Sequence, residues 1–161
     1  MNPNAVNHQP NQHDHAGHII DTISSIPHDI QPALLLRLAG VWTPSREEIE
    51  TGYVRSGYGW REGMSSLELR DSVRAWWRMS PATLKRRGIT HVVAVAQGQT
   101  RALYRIGTLI GPRPRDGRYA FECTEVTSGD LFEQWIGASG KTVPSTPGSQ
   151  NPVNYWPQEQ R

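Results

Sequence analysis

Chemistry by nucleophile and base needs a reactive side chain beside a proton acceptor, and this chain offers few such sets. Cys123 is the only cysteine, and it falls in mid-strand, where a buried structural thiol is favoured over a nucleophile. Outside the N-terminal tail the histidines reduce to His28 and His91, and no Gly-x-Ser-x-Gly elbow presents a serine. A Gly-x-x-x-x-Gly-Lys-Ser/Thr phosphate loop is missing. Neither Lys85 nor Lys141 stands one residue from an acid, as the lysine of a two-carboxylate nuclease would. No catalytic residue is assigned, and the chain is not expected to be an enzyme. His13, Asp14, His15 and His18 are metal-ligand types, but a short His-rich tail is favoured as merely solvated. No metal and no cofactor is expected.

What the chain does offer is cationic groups interleaved with rings. The total of 17 basic against 15 acidic residues, net +2, conceals the distribution. Residues 1–60 carry three Arg and six acids, whereas Arg70 to Arg118 hold eleven basic residues against Asp71 and Asp116, a net of +9. Arg70, Arg74 and Arg78 are four apart and, on one helix, would share an outer face, with Trp76 and Trp77 between them. Lys85, Arg86 and Arg87 extend this surface; Arg101, Arg105, Arg113, Arg115 and Arg118 follow from a hairpin and its loop. Phosphates are attracted to such a surface, and an unstacked base stacks on a ring. The expectation is a non-enzymatic nucleic-acid-binding protein, for DNA or RNA, reading a modified or flipped base. Arg70, Arg74, Arg78, Lys85, Arg86, Arg87, Arg101 and Arg105 would hold the backbone. Tyr58, Trp60, Trp76 and Trp77 would stack on the base. The plainer alternative is a solvated arginine face with the tryptophans in the core. A reading from another class is a protein-interaction factor that binds and inhibits a host protein, motivated by the acidic, partly apolar 19–56 region.

These residues need elements to position them. Residues 1–17 are polar and read as a disordered tail. Residues 18–56 read as a helical N-terminal extension: Ile19, Ile20, Ile23 and Ile26 lie on one helical face, Pro32–Leu38 forms a second piece, and Thr43-Pro44 starts a third. Gly57-Tyr58-Gly59-Trp60 is a Gly- and aromatic-rich loop. Ser65-Ser66-Leu67-Glu68 has capping-box spacing and opens a helix to about Trp77, with Leu67 and Val73 inward. Ser80-Pro81 begins a short helix ending in Lys85-Arg86-Arg87. Ile89–Gln97 and Thr100–Ile110 form a hairpin about Gly98-Gln99. Arg118–Val126 is a third strand, with Tyr119, Phe121 and Cys123 on one face. Thr127 or Ser128 caps a helix through Trp135 and Ile136 that Gly137 closes. Pro152–Trp156 is an edge strand. The domain over 57–156 is expected to be α+β, with a small, mainly antiparallel sheet, curled or barrel-like, and flanking helices.

The stretch from Gly57 to Tyr155, about 60% of the chain, also resembles a small module of bacterial and phage proteins found near restriction or modification functions. The residues that carry this are Arg74-Ala75-Trp76-Trp77-Arg78-Met79-Ser80, Ala94-Val95-Ala96-Gln97-Gly98 with Leu103-Tyr104-Arg105-Ile106, Arg118-Tyr119-Ala120-Phe121-Glu122, Trp135-Ile136-Gly137 and Gln150-Asn151-Pro152-Val153-Asn154-Tyr155. That module resembles the PUA-like group of small barrels (EVE, ASCH and SRA relatives), which implies binding of RNA or of modified DNA bases. Residues 1–56 have no counterpart in it, and Ala138-Ser139-Gly140 displaces Lys141 from its pattern. A single cysteine excludes a disulfide-stapled secreted module. The apolar run Ala33–Trp42 is too short to span a bilayer, and Met1-Asn2-Pro3-Asn4 lacks the features of a signal peptide. A cytoplasmic protein with no membrane partner is expected.

Overall fold

A continuous apolar run is ambiguous between a buried helix and a strand buried on both faces. Ala33–Arg37 forms such a strand, β1, with Leu34 and Leu36 on one face and Ala33 and Leu35 on the other. The computed structural model describes Ile26, residues 30–144 and residues 151–158. Beyond β1, the chain forms β2 (Thr43–Glu50), β3 (Tyr53–Tyr58), α1 (Ser66–Arg74), α2 (Pro81–Arg86), β4 (His91–Ala96), β5 (Gln99–Ile110), β6 (Ala120–Val126), α3 (Asp130–Trp135) and β7 (Val153–Trp156).

Five strands make one sheet in the order β6-β5-β4-β1-β7, and β2 with β3 makes a separate two-stranded sheet. Only β1 and β4 pair in parallel; the other pairings are antiparallel. The expected α+β class and mainly antiparallel sheet are therefore present. The barrel alternative is not: among the described residues β6 and β7 form two edges of an open sheet.

Both faces of the large sheet are covered, which is why its central strands are apolar on both sides. Val73 of α1, Leu84 of α2, Trp60 and Met79 pack on one face, against Leu34, Val92, Tyr104 and Phe121. Trp135 of α3, with Ile26, Ile30 and Val143, packs on the other. A third, smaller cluster of Ile49, Ala75 and Ala120 ties the β2–β3 hairpin to the end of α1 and the start of β6.

The helical reading of the extension is corrected for its described part. Pro32–Leu38 is the strand beside β4, and Thr43-Pro44 opens a strand rather than a helix. In β2 the even positions Pro44, Arg46 and Glu48 are exposed while Ile49 is buried, a period of two. The tail, the Ile19–Ile23 face, His28 and the histidine group at 13–18 lie outside the described residues. Among the described residues no group of His, Cys, Asp and Glu suits a metal, and no helix is long and apolar enough to cross a membrane.

Other expectations are met. The capping box at α1 is complete: Glu68 N–H donates to Ser65 Oγ at 3.1 Å, and Ser65 N–H donates to Glu68 Oε1 at 3.2 Å. However, the helix stops at Arg74 and Leu67 is 57% exposed. The β4–β5 hairpin forms, but its turn is Gln97-Gly98 rather than the expected Gly98-Gln99, and β7 is an edge strand. Helix α3 is capped by Gly129 without a side-chain bond, so neither Thr127 nor Ser128 serves, while Gly137 (φ +62) does end it.

Candidate functional site

The β2–β3 hairpin leans over the end of α1, and the loop 111–118 closes on it from the other side. Two glycines let residues 57–59 pass close to residues 41–43 at the base of the hairpin. A Cβ on Gly57 would lie 2.6 Å from the Thr43 carbonyl oxygen and 2.5 Å from the Trp42 ring; one on Gly59 (φ +91) would lie 2.0 Å from the Val41 oxygen. Between them Tyr58 is turned outward, 42% exposed, while Trp60 drops into the core. Gly57 and Tyr58 end β3 rather than opening the expected loop, and the Gly-Tyr-Gly-Trp segment divides its two rings between cavity and core.

A cavity of about 500 Å³ lies at this junction, within the size range of small-ligand sites. Tyr58, Trp76 and Trp77 supply rings to its wall. Five arginines, Arg37, Arg55, Arg113, Arg115 and Arg118, face one acid, Glu47. Trp76 and Trp77 are not helical, although the sequence predicts a helix to about Trp77; the helix ends at Arg74. Ala75 is extended (φ −158, ψ 157), and Trp77 pairs with Tyr119 as an isolated bridge. Trp77 packs against the core beside the first sheet face, its Nε1 donating to Val73 O at 2.7 Å. Trp76 lies against the hairpin cluster.

The arginines divide into two kinds. Arg55 is 5% exposed and donates to Glu47 Oε2 at 2.8 Å and to the Ala75 carbonyl. Arg113 grips Asp116 with two bonds, 3.1 and 2.6 Å, donates to Glu47 Oε1 at 2.6 Å, and stacks 4.5 Å over the Trp76 ring. These two are fixed. By contrast Arg115 is 71% exposed with a 3.5 Å contact to Glu47, and among the described residues the Arg118 side chain is held only by 3.5–3.6 Å contacts to Trp76 O and Asp116. Arg37 makes one 3.3 Å bond to Pro144 O. These three are available to a ligand.

Burial works against the charge on Glu47, but the bonds and charges of Arg55 and Arg113 outweigh it and hold the carboxyl below its usual range. Its bonds to Arg113 lower the Asp116 carboxyl in the same direction. Among the described residues, Arg37 Nε, Arg55 Nε and Trp76 Nε1 are buried without an acceptor. A wall with excess donors and net positive charge favours an acceptor-rich anion over an apolar ligand.

Of the four stacking candidates, the cavity includes Tyr58, Trp76 and Trp77 and leaves out Trp60, which is core with Arg101 4.3 Å over its ring. None of the eight arginines and lysines expected to hold a backbone lines it. The shared outer face of Arg70, Arg74 and Arg78 does not form. Arg74 is buried, donating to Phe121 O at 2.9 Å and stacking on Tyr53 at 4.7 Å. Arg70 donates to Tyr53 OH at 3.1 Å, and Arg78 lies beyond the helix end. Arg87 binds the Tyr155 and Pro157 carbonyls. Lys85 and Arg86 are exposed at the end of α2, and Arg105 is exposed on β5, away from the cavity. Sequence reasoning included Arg113, Arg115 and Arg118 in the basic surface but passed over Arg37, Arg55 and Glu47. The alternating pattern of β2, with Glu47 and Ile49 inward, was the signal available for the last. Comparison with known proteins finds no matching family, no matching curated protein and no matching solved structure.

Proposed function

We propose that this chain is a non-enzymatic nucleic-acid-binding protein that draws one unstacked or flipped base into the cavity under the β2–β3 hairpin. The observation that carries the reading is the lining of that cavity, where Tyr58, Trp76 and Trp77 stand with five arginines and one acid. A base is a flat ring with acceptors, and it comes with a phosphate on either side. In this reading Trp76, backed by Arg113, and Tyr58 face the base. Arg115, Arg118 and Arg37 meet the flanking phosphates, and Glu47 holds Arg55 and Arg113 in place. A modified base is the candidate target, and kinship with PUA-like modules belongs to the same proposal. Two of the acids that motivated the protein-partner alternative are used inside the fold: Glu47 and Glu50 pair with Arg55, Arg113 and Arg74, which weakens that reading.

Tryptophan fluorescence titrated with single-stranded DNA and RNA at low salt tests it. Trp76→Ala is expected to weaken binding about tenfold, within the range of one base–aromatic stack. Arg115→Ala with Arg118→Ala should weaken it for every sequence alike. If neither DNA nor RNA binds the wild-type protein at low salt, the proposal fails. A stoichiometric protein recovered after nuclease treatment would support the inhibitor reading instead.

A further inference from the structure

A second cavity of about 270 Å³ adjoins the first, and the two share Arg37 and Leu38 at the end of β1. Its other walls are Val95 and Ala96 of β4, the Gln97-Gly98 turn, and Val143. The volume falls just below the usual small-ligand range of about 300–1,000 Å³, so it suits one ring system. Leu38, Ala96 and Val143 give it apolar sides.

Two features mark it as built to hold something polar at its rim. Arg37 stands at the border of both cavities, and its Nε finds no acceptor among the described residues. Gln97 has φ +52 and is the one non-glycine residue of positive φ among the described residues. It is followed by Gly98 at φ +75, and a two-residue turn of this kind is served best by Asn or Gly. Glutamine adds backbone strain without improving the turn, so what the position supplies is the side chain. Its Nε2 lies 3.9 Å from where a Gly40 Cβ would be, so the amide reaches from the turn toward the 39–41 stretch. An amide there offers both a donor and an acceptor to the edge of a base.

Resting on the nucleic-acid reading above, we propose that the site extends by one nucleotide into this second cavity. The first base occupies the cavity under the hairpin, the phosphodiester lies at Arg37, and the neighbouring base sits against Leu38 and Val143 with its polar edge at the Gln97 amide. The protein then reads two consecutive nucleotides of an unpaired strand.

Calorimetric titration with the ribo- and deoxynucleoside monophosphates, and with dinucleotides made by extending the tightest of them on either side, tests this. One extension should bind about tenfold tighter than the monophosphate, and an abasic second position should lose that gain. Gln97→Gly removes the amide while suiting the positive φ, so the turn is retained. It should cut the gain to two- or threefold at most with monophosphate binding unchanged. Equal affinity for mono- and dinucleotides, or an undiminished gain in Gln97→Gly, overturns the second subsite while leaving the first. Absence of any binding by the wild type overturns the nucleic-acid reading and this one with it.

Discussion

Glu47 is the carboxylate around which the arginines of the cavity are arranged, and its surroundings set two expectations. Replacing it by Gln leaves the buried Arg55 without its charged partner, at a cost of about 2 kcal/mol, or a melting-temperature drop of about 4–8 °C for a domain of this size. Because folding lowers the Glu47 pKa, its contribution is full above the unfolded value near 4.5 and fades as pH falls through the lower folded value. The melting difference between wild type and Glu47→Gln should therefore be largest near neutrality and shrink toward pH 3. Arg74 belongs to the same category of internal cation. Arg74→Ala should destabilise by about 2–3 kcal/mol, read as a shifted urea midpoint, while affinity measured well below that midpoint holds. Burial pushes the Cys123 thiol up to about 11. Its alkylation by iodoacetamide at pH 8 should run about a hundredfold slower than that of a free cysteine thiol.

At the level of elements, local chemistry and long-range packing decide different things. The α1 capping box is a local device, and Ser65→Ala should cost about 1 kcal/mol, measured by chemical denaturation. The β4–β5 hairpin, the β6 alternation and the α1 and α3 helices were legible because their signals lie within a few residues. β1 was not, since four consecutive apolar residues, Ala33 to Leu36, fit a helix or a doubly buried strand equally, and its partner β4 lies more than fifty residues on. β2 was misread because Thr43-Pro44 imitates a helix start and Glu is a poor strand former. Its pairing with β3 and the burial of Ile49 override that preference. Gly59 shows how the hairpin is held: Gly59→Ala drives a Cβ into the Val41 oxygen and strains a φ of +91. The backbone term alone is about 1–3 kcal/mol, and circular dichroism melting should register at least that loss.

On the scale of the molecule, the relevant quantity is how many cations remain available after internal pairing. With Arg37, Arg115 and Arg118 as the loosely held members of the wall, binding to a single strand should follow log[salt] with a slope of about −2. A slope near −4 would instead mean that Lys85, Arg86 and Arg105, exposed on α2 and β5, bind phosphates too. From the sequence alone come the α+β class, the mainly antiparallel sheet, the concentration of positive charge between Arg70 and Arg118, and a ring-and-arginine composition. Those properties depend on residue type and near-neighbour spacing, which a linear chain carries in full. Which arginines face a ligand was decided only in three dimensions. Arg74 turned inward to the Phe121 carbonyl, Trp60 went to the core, and Arg37 and Arg55 reached the cavity from the acidic part of the chain. A side chain's neighbours across strands depend on register and on which face packs, and these arise from contacts between segments far apart in sequence. Net charge is a sum along the chain, whereas a binding wall is a selection from it made by packing.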